Sequence, residues 1–278
     1  MLYGPGVADT PRVLLAVHAH PDDECITTGG ILARYAAAGA RTILITCTDG
    51  AVGEISDPSL ATPGNLVEVR AAELDEAVRI LNVSRLVKLG YRDSGMAGTD
   101  DNQHPDSFQQ ADFPTAVARV VDILREEKPQ IVVTYDENGG YGHPDHIRAH
   151  QVAVAAFDAV ANESWAPSRL FYAVVPRSAF ARFGELVREA GIEMPFSETR
   201  EAQPPFGVDD DLITTTIDVG AYVEQKRNAL TAHRTQMGAE MFFMRLPPAI
   251  FGQVFGQEFF QVVRGSAKGA SSDLFGGL

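Results

Sequence analysis

Short apolar runs alternate with amphipathic stretches along the chain up to residue 175. Runs of about six apolar residues, bounded by polar or glycine-containing turns, are typical of buried strands. The amphipathic stretches repeat their apolar side chains at the spacing of helices that pack on a core. The predicted strands cover 12–17, 42–47, 85–90, 130–135 and 170–175. The predicted helices between them cover 26–38, 66–81, 113–128 and 145–161.

This alternation of strands and helices predicts an α/β fold with a mostly parallel sheet flanked by helices. After residue 175 the pattern loosens. A helix over 178–190, a strand over 212–218 and a last helix over 221–233 precede a tail without an assigned element. We interpret 1–175 as the core and 176–278 as a smaller C-terminal cap and tail that completes the cleft, within one structural unit.

Composition excludes several classes of partner. The formal net charge is -14 and no block of basic residues occurs, which argues against nucleic acid, whose phosphates attract clustered Lys and Arg. No run reaches the roughly 18 apolar residues of a membrane helix. The only cysteines are Cys25 and Cys47, too few for a disulfide framework. These features predict a cytoplasmic protein without a membrane partner. The sequence leaves open whether the protein forms a homo-oligomer.

Two polar clusters follow predicted strands. The first is His-Ala-His-Pro-Asp-Asp-Glu at 18–24, and the second is Asn-Gly-Gly-Tyr-Gly-His-Pro-Asp-His at 138–146. Since parallel strands end at the same edge of a sheet, we expect both clusters to lie together, where α/β proteins bind ligands. Imidazoles and carboxylates are the side chains that zinc and similar divalent metals bind. The sequence therefore predicts a metal site at this edge.

The residues also suggest a reaction. His20, Asp23 and one of His143 or His146 make the two-histidine, one-carboxylate set of a catalytic zinc, which keeps an open position for water. Asp22 can accept the proton of that water and return it to a leaving amine. The remaining histidine can stabilise an oxyanion or act as an acid. The long segment over 91–112 exceeds the usual loop length of about 12–15 residues, so we interpret it as substrate-binding.

Other interpretations of the first cluster explain less. A polar turn that caps the next helix would account for the aspartates but not for the histidines or the second cluster. A dinucleotide site is excluded because no GxGxxG occurs and three acids would repel a pyrophosphate. Cys25 is a poor nucleophile candidate, since reactive thiols need electropositive surroundings.

Three separated motifs resemble those of the PIG-L/LmbE family of zinc-dependent N-deacetylases. They are His-Pro-Asp-Asp at 20–23, Gly-His-Pro-Asp-His at 142–146 and Ala-His-x-Thr-Gln at 232–236. The chain is most similar to the mycothiol-pathway branch, which includes the N-acetylglucosaminyl-inositol deacetylase and the mycothiol-conjugate amidase. The resemblance implies a Rossmann-like catalytic core over 1–175. It also implies hydrolysis of the amide of a small N-acyl glucosamine-type molecule, and we expect the acyl group to be acetyl.

The family motif assigns the metal and the base. It implies that His20, Asp23 and His146 bind Zn²⁺, with Fe²⁺ as the alternative ion. Asp22 becomes the general base.

The same resemblance assigns the residues around the metal. His143 would stabilise the oxyanion or act as acid, with Asp145 as its orienting carboxylate. Tyr141 would be a mobile polar contact to the substrate carbonyl. Arg70 and Asp93 match positions that bind sugar hydroxyls.

The branch and the substrate stay open at this point. The stretch 91–100 is similar to the deacetylase, whereas 135–138 and 147–151 are more similar to the conjugate amidase, and an N-deacetylase of a secondary-metabolite pathway is a third reading. A catalytically silent relative that binds metal or sugar would lack the base or a ligand, and this chain has them all. No resemblance covers 237–278.

Overall fold

A seven-stranded sheet forms the centre of the structure, a computed structural model that describes residues 11–192, 206–238 and 241–278. The strands are β1 Val13–His18, β2 Arg41–Thr48, β3 Arg85–Tyr91, β4 Ile131–Tyr135, β5 Arg169–Val174, β6 Thr215–Asp218 and β7 Gln257–Arg264. Their order across the sheet is β3-β2-β1-β4-β5-β7-β6. The first five strands pair in parallel, and β7 pairs antiparallel with both β5 and β6.

Helices cover both faces of this sheet. They are α1 Asp23–Thr27, α2 Gly29–Ala37, α3 Leu66–Ile80, α4 Phe113–Glu127, α5 Pro144–Ala159, α6 Arg177–Glu189, α7 Val223–Ala232 and α8 Pro248–Phe255. One apolar core contains side chains of α2, α3 and α7, and the opposite core contains those of α4 and α5. Within the described ranges, no helix combines the length and apolar character needed to cross a membrane. The predicted α/β fold with a mostly parallel sheet is confirmed.

The helix predicted over 26–38 is two helices in the structure. The helix is interrupted at Thr28. Its hydroxyl donates to the carbonyl oxygen of Glu24 at 3.0 Å and also lies 2.8 Å from His18 Nε2. Helix α2 then packs closely against the C-terminal part, since a Cβ on Gly30 would lie 2.5 Å from Val219 Cγ2. The break lets α1 carry the first polar cluster while α2 packs on the core.

The strand order creates a crevice beside β1. From β1 the chain builds outward through β2 and β3 on one side, and it then crosses to β4 and β5 on the other. In open α/β sheets, ligands bind at the carboxyl ends of the strands where this direction reverses. The polar clusters follow β1 and β4, so both lie at this crevice.

The C-terminal part joins the same sheet. The tail, to which the sequence pattern assigns no element, contains α8 and β7. Glu258 on β7 accepts the backbone N–H groups of Gly30 and Ile31 at 2.7 and 2.8 Å, which caps the beginning of α2. Buried Lys226 of α7 donates to the same carboxylate at 2.7 Å. The boundary at residue 175 stays a prediction, but β6 and β7 extend the central sheet.

We expect the substitution Glu127→Gln to lower stability in a pH-dependent way. Glu127 accepts two hydrogen bonds from Arg41 and one from Arg85, and the bond from Arg41 is the largest influence that lowers its pKa, from 4.5 to about 2. Because the folded-state pKa lies below the unfolded value, this stabilisation is present above about pH 4.5 and is lost as pH falls towards 2. The loss at pH 7 should be about 1 kcal/mol in urea unfolding.

The control for this variant is Glu76→Gln. Glu76 pairs with Arg79 on the exposed surface of α3, so its substitution should leave the unfolding midpoint unchanged. A loss for Glu127→Gln that is as large at pH 3 as at pH 7 would contradict the ion-pair explanation.

Candidate metal centre and hydrolytic site

The three predicted ligands lie together at the crevice. His20 lies in the turn between β1 and α1, Asp23 is the first residue of α1, and His146 lies in the first turn of α5. His20 Nδ1 is 3.1 Å from His146 Nε2 and 3.4 Å from Asp23 Oδ2. His146 Nε2 is 3.4 Å from Asp23 Oδ1. All three side chains are buried. The polar clusters at 18–24 and 138–146 thus both contribute side chains to one centre.

Hydrogen-bond partners assign the protons of both histidines. His20 Nε2 lies 3.1 Å from the carboxylate oxygen Oδ2 of Asp145, so we assign its proton to Nε2. His146 Nδ1 lies 3.1 Å from the carbonyl oxygen of Gly139, so that nitrogen carries the proton of His146. The remaining nitrogens, His20 Nδ1 and His146 Nε2, face each other across 3.1 Å, an arrangement that a proton or a metal ion between them stabilises.

The spacing of the three ligands fits a divalent ion. Zinc bonds of about 2.0–2.2 Å in a tetrahedral site put neighbouring ligand atoms about 3.3–3.6 Å apart. The two histidine nitrogens lie 3.1 Å apart, and each is 3.4 Å from an oxygen of Asp23, His20 from Oδ2 and His146 from Oδ1. Burial raises the pKa of Asp23, but His146 and His20 lower it to well below its usual value, which keeps the carboxylate charged. Burial lowers the pKa of His146 to about 3, which keeps its ring neutral for coordination.

His20 carries the opposite shift. Burial lowers its pKa, but hydrogen bonds with Asp145, Asp23 and Asp93 outweigh burial and hold the pKa well above its usual value. The surrounding carboxylates thus favour positive charge at this point, whether a proton or a metal ion supplies it.

His143 is also near enough to be considered as a ligand. One nitrogen each of His20, His143 and His146 lies within a mutual distance of 4.8 Å. However, His143 caps α5 by accepting the backbone N–H of Asp145 on Nδ1 at 3.1 Å. Burial, followed by the effect of His20, lowers its pKa, so the ring is neutral and its Nε2 carries the proton. This geometry favours His146 as the ligand and His143 as a hydrogen-bond donor.

Asp145 has different partners from those predicted. Its carboxylate accepts from His20 Nε2, from the backbone N–H of Ser94 at 2.9 Å and from the Ser94 hydroxyl. Only its backbone N–H bonds to His143. The predicted role of this carboxylate in orienting His143 stays a prediction, and in the structure it orients His20. The reason is that Asp145, in the first turn of α5, faces β1 and the segment after β3.

Asp22 occupies an unusual backbone conformation beside the ligands. Its φ is 121°, a value that residues other than glycine rarely adopt. Asp22 is less buried than its neighbours Asp23 and Glu24. Burial raises its pKa to about 6, although Arg70 acts in the opposite direction.

Arg70 lies beneath this turn. It is 2% exposed and donates to the carbonyl oxygens of Pro21 at 2.6 Å and Gly50 at 2.9 Å, and to Asp22 Oδ2 at 3.1 Å. These hydrogen bonds support the turn that carries Asp22. The predicted contact of Arg70 with sugar hydroxyls stays a prediction.

Asp93 is buried beside His20, whereas Tyr141 is exposed at the edge of the centre. Asp93 Oδ1 is 3.6 Å from His20 Nε2 and accepts the N–H of Gly95 at 2.9 Å. Burial raises the pKa of Asp93, but its contact with His20 brings it below the usual value. Tyr141 is 55% exposed, and its ring lies edge-on to His146 with the centroids 4.9 Å apart. The predicted contact of Tyr141 with a substrate carbonyl is compatible with this exposed position.

Sequence reasoning missed Tyr135 and Gly139. The hydroxyl of Tyr135, the last residue of β4, donates to Asp23 Oδ2 at 2.7 Å and accepts the N–H of Ala19 at 2.7 Å. Its ring stacks on His146 with the centroids 4.4 Å apart. Gly139 has a φ of +63°, and a Cβ there would lie 2.5 Å from His146 Cβ. A tyrosine at the carboxyl end of an otherwise apolar strand was the available signal for the first.

Two histidines and a carboxylate, with a second carboxylate beside them at the switch point of an α/β sheet, define the class of metal-dependent hydrolases. Residues 15–157 match the family model described as PIG-L: GlcNAc-PI de-N-acetylase. The chain belongs to the PIG-L family, as its motifs predict, and is thus an amide-hydrolysing enzyme of the deacetylase type.

Relatives of similar length support this membership. The chain is 45% identical over 281 residues to a 1D-myo-inositol 2-acetamido-2-deoxy-alpha-D-glucopyranoside deacetylase of Acidothermus cellulolyticus, with 96% of this chain and 95% of the relative covered. It is 42% identical over 296 residues to such a deacetylase, numbered 1, of Catenulispora acidiphila, with 99% and 92% covered.

Solved structures share the fold at low identity. An N,N'-diacetylchitobiose deacetylase from Pyrococcus horikoshii aligns with a TM-score of 0.60 at 20% identity, covering 91% of this chain and 84% of that one. The hydratase GalB of Pseudomonas putida aligns with a TM-score of 0.59 at 18% identity, covering 92% and 97%. Since the same fold serves both a deacetylase and a hydratase, these likenesses establish the architecture alone.

We expect Tyr135→Phe to weaken metal binding. The phenylalanine ring can keep its stacking on His146, but Asp23 and the N–H of Ala19 lose the hydroxyl that joins them. Loss of such a support for a ligand typically costs about 10- to 100-fold in metal affinity. Competition with a zinc chelator measures this change.

The matched control is Tyr172→Phe on β5. This tyrosine is equally buried and lies edge-on to His150, away from the ligands. Unchanged zinc affinity in Tyr135→Phe would show that its hydroxyl does not hold Asp23.

Proposed function

We propose that this protein hydrolyses the amide of an N-acetylglucosaminyl-inositol and releases acetate and the free amine. The observation that carries the proposal is the convergence of His20, His146 and Asp23 on one point, with Asp22 beside them. The names and whole-length identity of the deacetylase relatives support the sugar and the inositol aglycone. The cytoplasmic location and an oligomeric state stay predictions of the sequence.

We propose Zn²⁺ as the ion, with Fe²⁺ as the alternative, because both accept imidazole and carboxylate ligands. His20 Nδ1, His146 Nε2 and a carboxylate oxygen of Asp23 would hold it. Such an ion polarises the amide carbonyl and lowers the pKa of a water molecule bound to it. Asp145, Ser94 and the carbonyl of Gly139 keep both histidines in the tautomers that coordination requires.

The protein's own side chains move the protons. In the proposed reaction Asp22 takes a proton from the attacking water, whose oxygen forms a bond to the carbonyl carbon. The C–N bond then breaks, and Asp22 returns the proton to the leaving nitrogen. Nε2–H of His143 donates to the carbonyl oxygen as negative charge develops there, and the hydroxyl of exposed Tyr141 is a second donor. Asp93, at the edge of the centre, would accept from a sugar hydroxyl.

Two other hydrolases and a silent binding protein were alternatives. A mycothiol-conjugate amidase would need a bulky thiol-derived acyl group, and a secondary-metabolite deacetylase would need another aglycone. The full-length relatives favour the N-acetylglucosaminyl-inositol. A silent metal- or sugar-binding module is disfavoured, since Asp22 and the proposed ligands His20, Asp23 and His146 are all present.

The proposal is tested with three compounds: N-acetylglucosaminyl-inositol, N-acetylglucosamine and a mycothiol S-conjugate. We expect fastest amine release from the first, its loss after treatment with a chelator, and its return with Zn²⁺ or Fe²⁺. Turnover of the S-conjugate alone would favour the amidase. No amine from any compound, with one ion bound per chain, would contradict an N-acetylglucosaminide deacetylase.

Paired variants separate the base from a ligand. Asp22→Asn removes a proton acceptor but no coordinating group, so it should keep the ion and lose about 10²–10⁴-fold in kcat. His146→Ala should lose the ion together with activity. The measurements are metal content per chain and amine release. An Asp22→Asn enzyme with full activity would exclude Asp22 as the base.

A further inference from the structure

The turn that carries Asp22 needs outside support. Its φ of 121° is unfavourable for a residue with a side chain, and such conformations persist only where neighbouring contacts hold them. Arg70 binds the side chain of Asp22 and the carbonyl of Pro21 from one direction. The backbone N–H of Asp22 has a separate partner, Oε2 of Glu24, at 3.0 Å.

Glu24 is itself held by a residue from the far end of the chain. Its other oxygen, Oε1, lies 2.7 Å from His233 Nε2 and accepts from Cys25 Sγ at 3.0 Å. The side chains of Glu24 and His233 are completely buried. Burial of a charged pair is costly unless its partners are well placed, so removal of one partner leaves the other in an unfavourable state.

Hydrogen bonds of the backbone and of neighbouring residues hold His233 in place. It follows α7, and its carbonyl oxygen accepts the N–H groups of Gln236 and Met237 at 3.0 and 2.7 Å. Thr235 donates through its N–H and its hydroxyl to Glu73 of α3 at 2.9 and 2.6 Å. The position of Nε2 is therefore set by contacts that do not involve the ligands.

We infer that Glu24 and His233 form a positioning pair that keeps the backbone of Asp22 in its strained conformation. The inference rests on the proposed role of Asp22 as base, and it assigns to His233 and Glu24 a role that the motif resemblance leaves open. Among the described residues, no hydrogen bond joins the side chain of either one to His20, Asp23 or His146. The pair thus acts on the base and leaves the ligand set in place.

The test compares His233→Leu with His233→Gln. Leucine has no donor for Glu24, whereas the amide nitrogen of glutamine can donate from nearly the same point as Nε2. With N-acetylglucosaminyl-inositol as substrate, His233→Leu should lose about 10- to 100-fold in kcat, the size expected when a catalytic group is displaced by about 1 Å. KM and the content of one zinc per chain should stay unchanged. His233→Gln should recover most of the rate.

Lys226→Met is the matched control. Lys226 also lies on α7, is 1% exposed and pairs with buried Glu258 at 2.7 Å. Its loss likewise removes the cationic partner of a buried carboxylate that keeps its backbone N–H donors, so both variants should melt at lower temperature. Only His233→Leu should lose kcat. An equal loss of kcat in Lys226→Met would mean that reduced stability explains the effect.

A double variant tests whether the pair acts through the base. In an Asp22→Asn background, His233→Leu should cause no further loss, because the group that it positions has already been removed. Losses that multiply, or a loss of zinc in His233→Leu, would overturn the inference.

A measurement without substrate separates this inference from the proposed function. Hydrogen exchange of the Asp22 amide, followed by NMR, should accelerate at least ~10-fold in His233→Leu and not in Lys226→Met. Unchanged exchange would overturn the positioning role even in an active enzyme. If the unmodified protein releases no amine, the proposed function fails, and the exchange result still decides whether the pair holds Asp22.

Discussion

The approach of His20 Nδ1 to within 3.1 Å of His146 Nε2 is the constraint on which the centre depends, because it is favourable only with a proton or a metal ion between the two nitrogens. The other nitrogen of each ring is already bonded: His20 Nε2 donates to Asp145, and His146 Nδ1 donates to the carbonyl oxygen of Gly139. The neighbouring carboxylates of Asp23, Asp93 and Asp145 favour positive charge at this point.

Three consecutive carboxylates, at Asp22, Asp23 and Glu24, differ because their partners differ. Two histidines hold the pKa of Asp23 far below its usual value despite burial, as suits a ligand. Burial raises the pKa of Asp22 to about 6, as suits a proton acceptor near neutral pH. The pKa of Glu24 is lowered by His233 against the effect of burial, so it stays charged and can hold the backbone of its neighbour.

The C-terminal part of the chain completes the first motif. Glu258 caps α2 while it pairs with Lys226, and His233 holds Glu24. The buried guanidinium of Arg169 donates to three carbonyl oxygens of the tail, of Ser266, Lys268 and Leu274. Residues beyond 206 therefore contribute two strands to the sheet and also contacts beneath the site. The first polar cluster, near the beginning of the sequence, therefore depends on contacts with residues near its end.

The sequence by itself determined strands β1 to β6, most helices, the metal-ligating clusters and the family, because apolar periodicity and compact motifs are local properties. Tertiary structure decided which partner each polar side chain takes. The carboxylate of Asp145 turns to His20, Arg70 lies under Asp22, Tyr135 joins Asp23 to His146, and β7 pairs with β5. These contacts join residues separated by dozens to more than a hundred positions. Their geometry depends on how helices and strands pack, which no local pattern encodes.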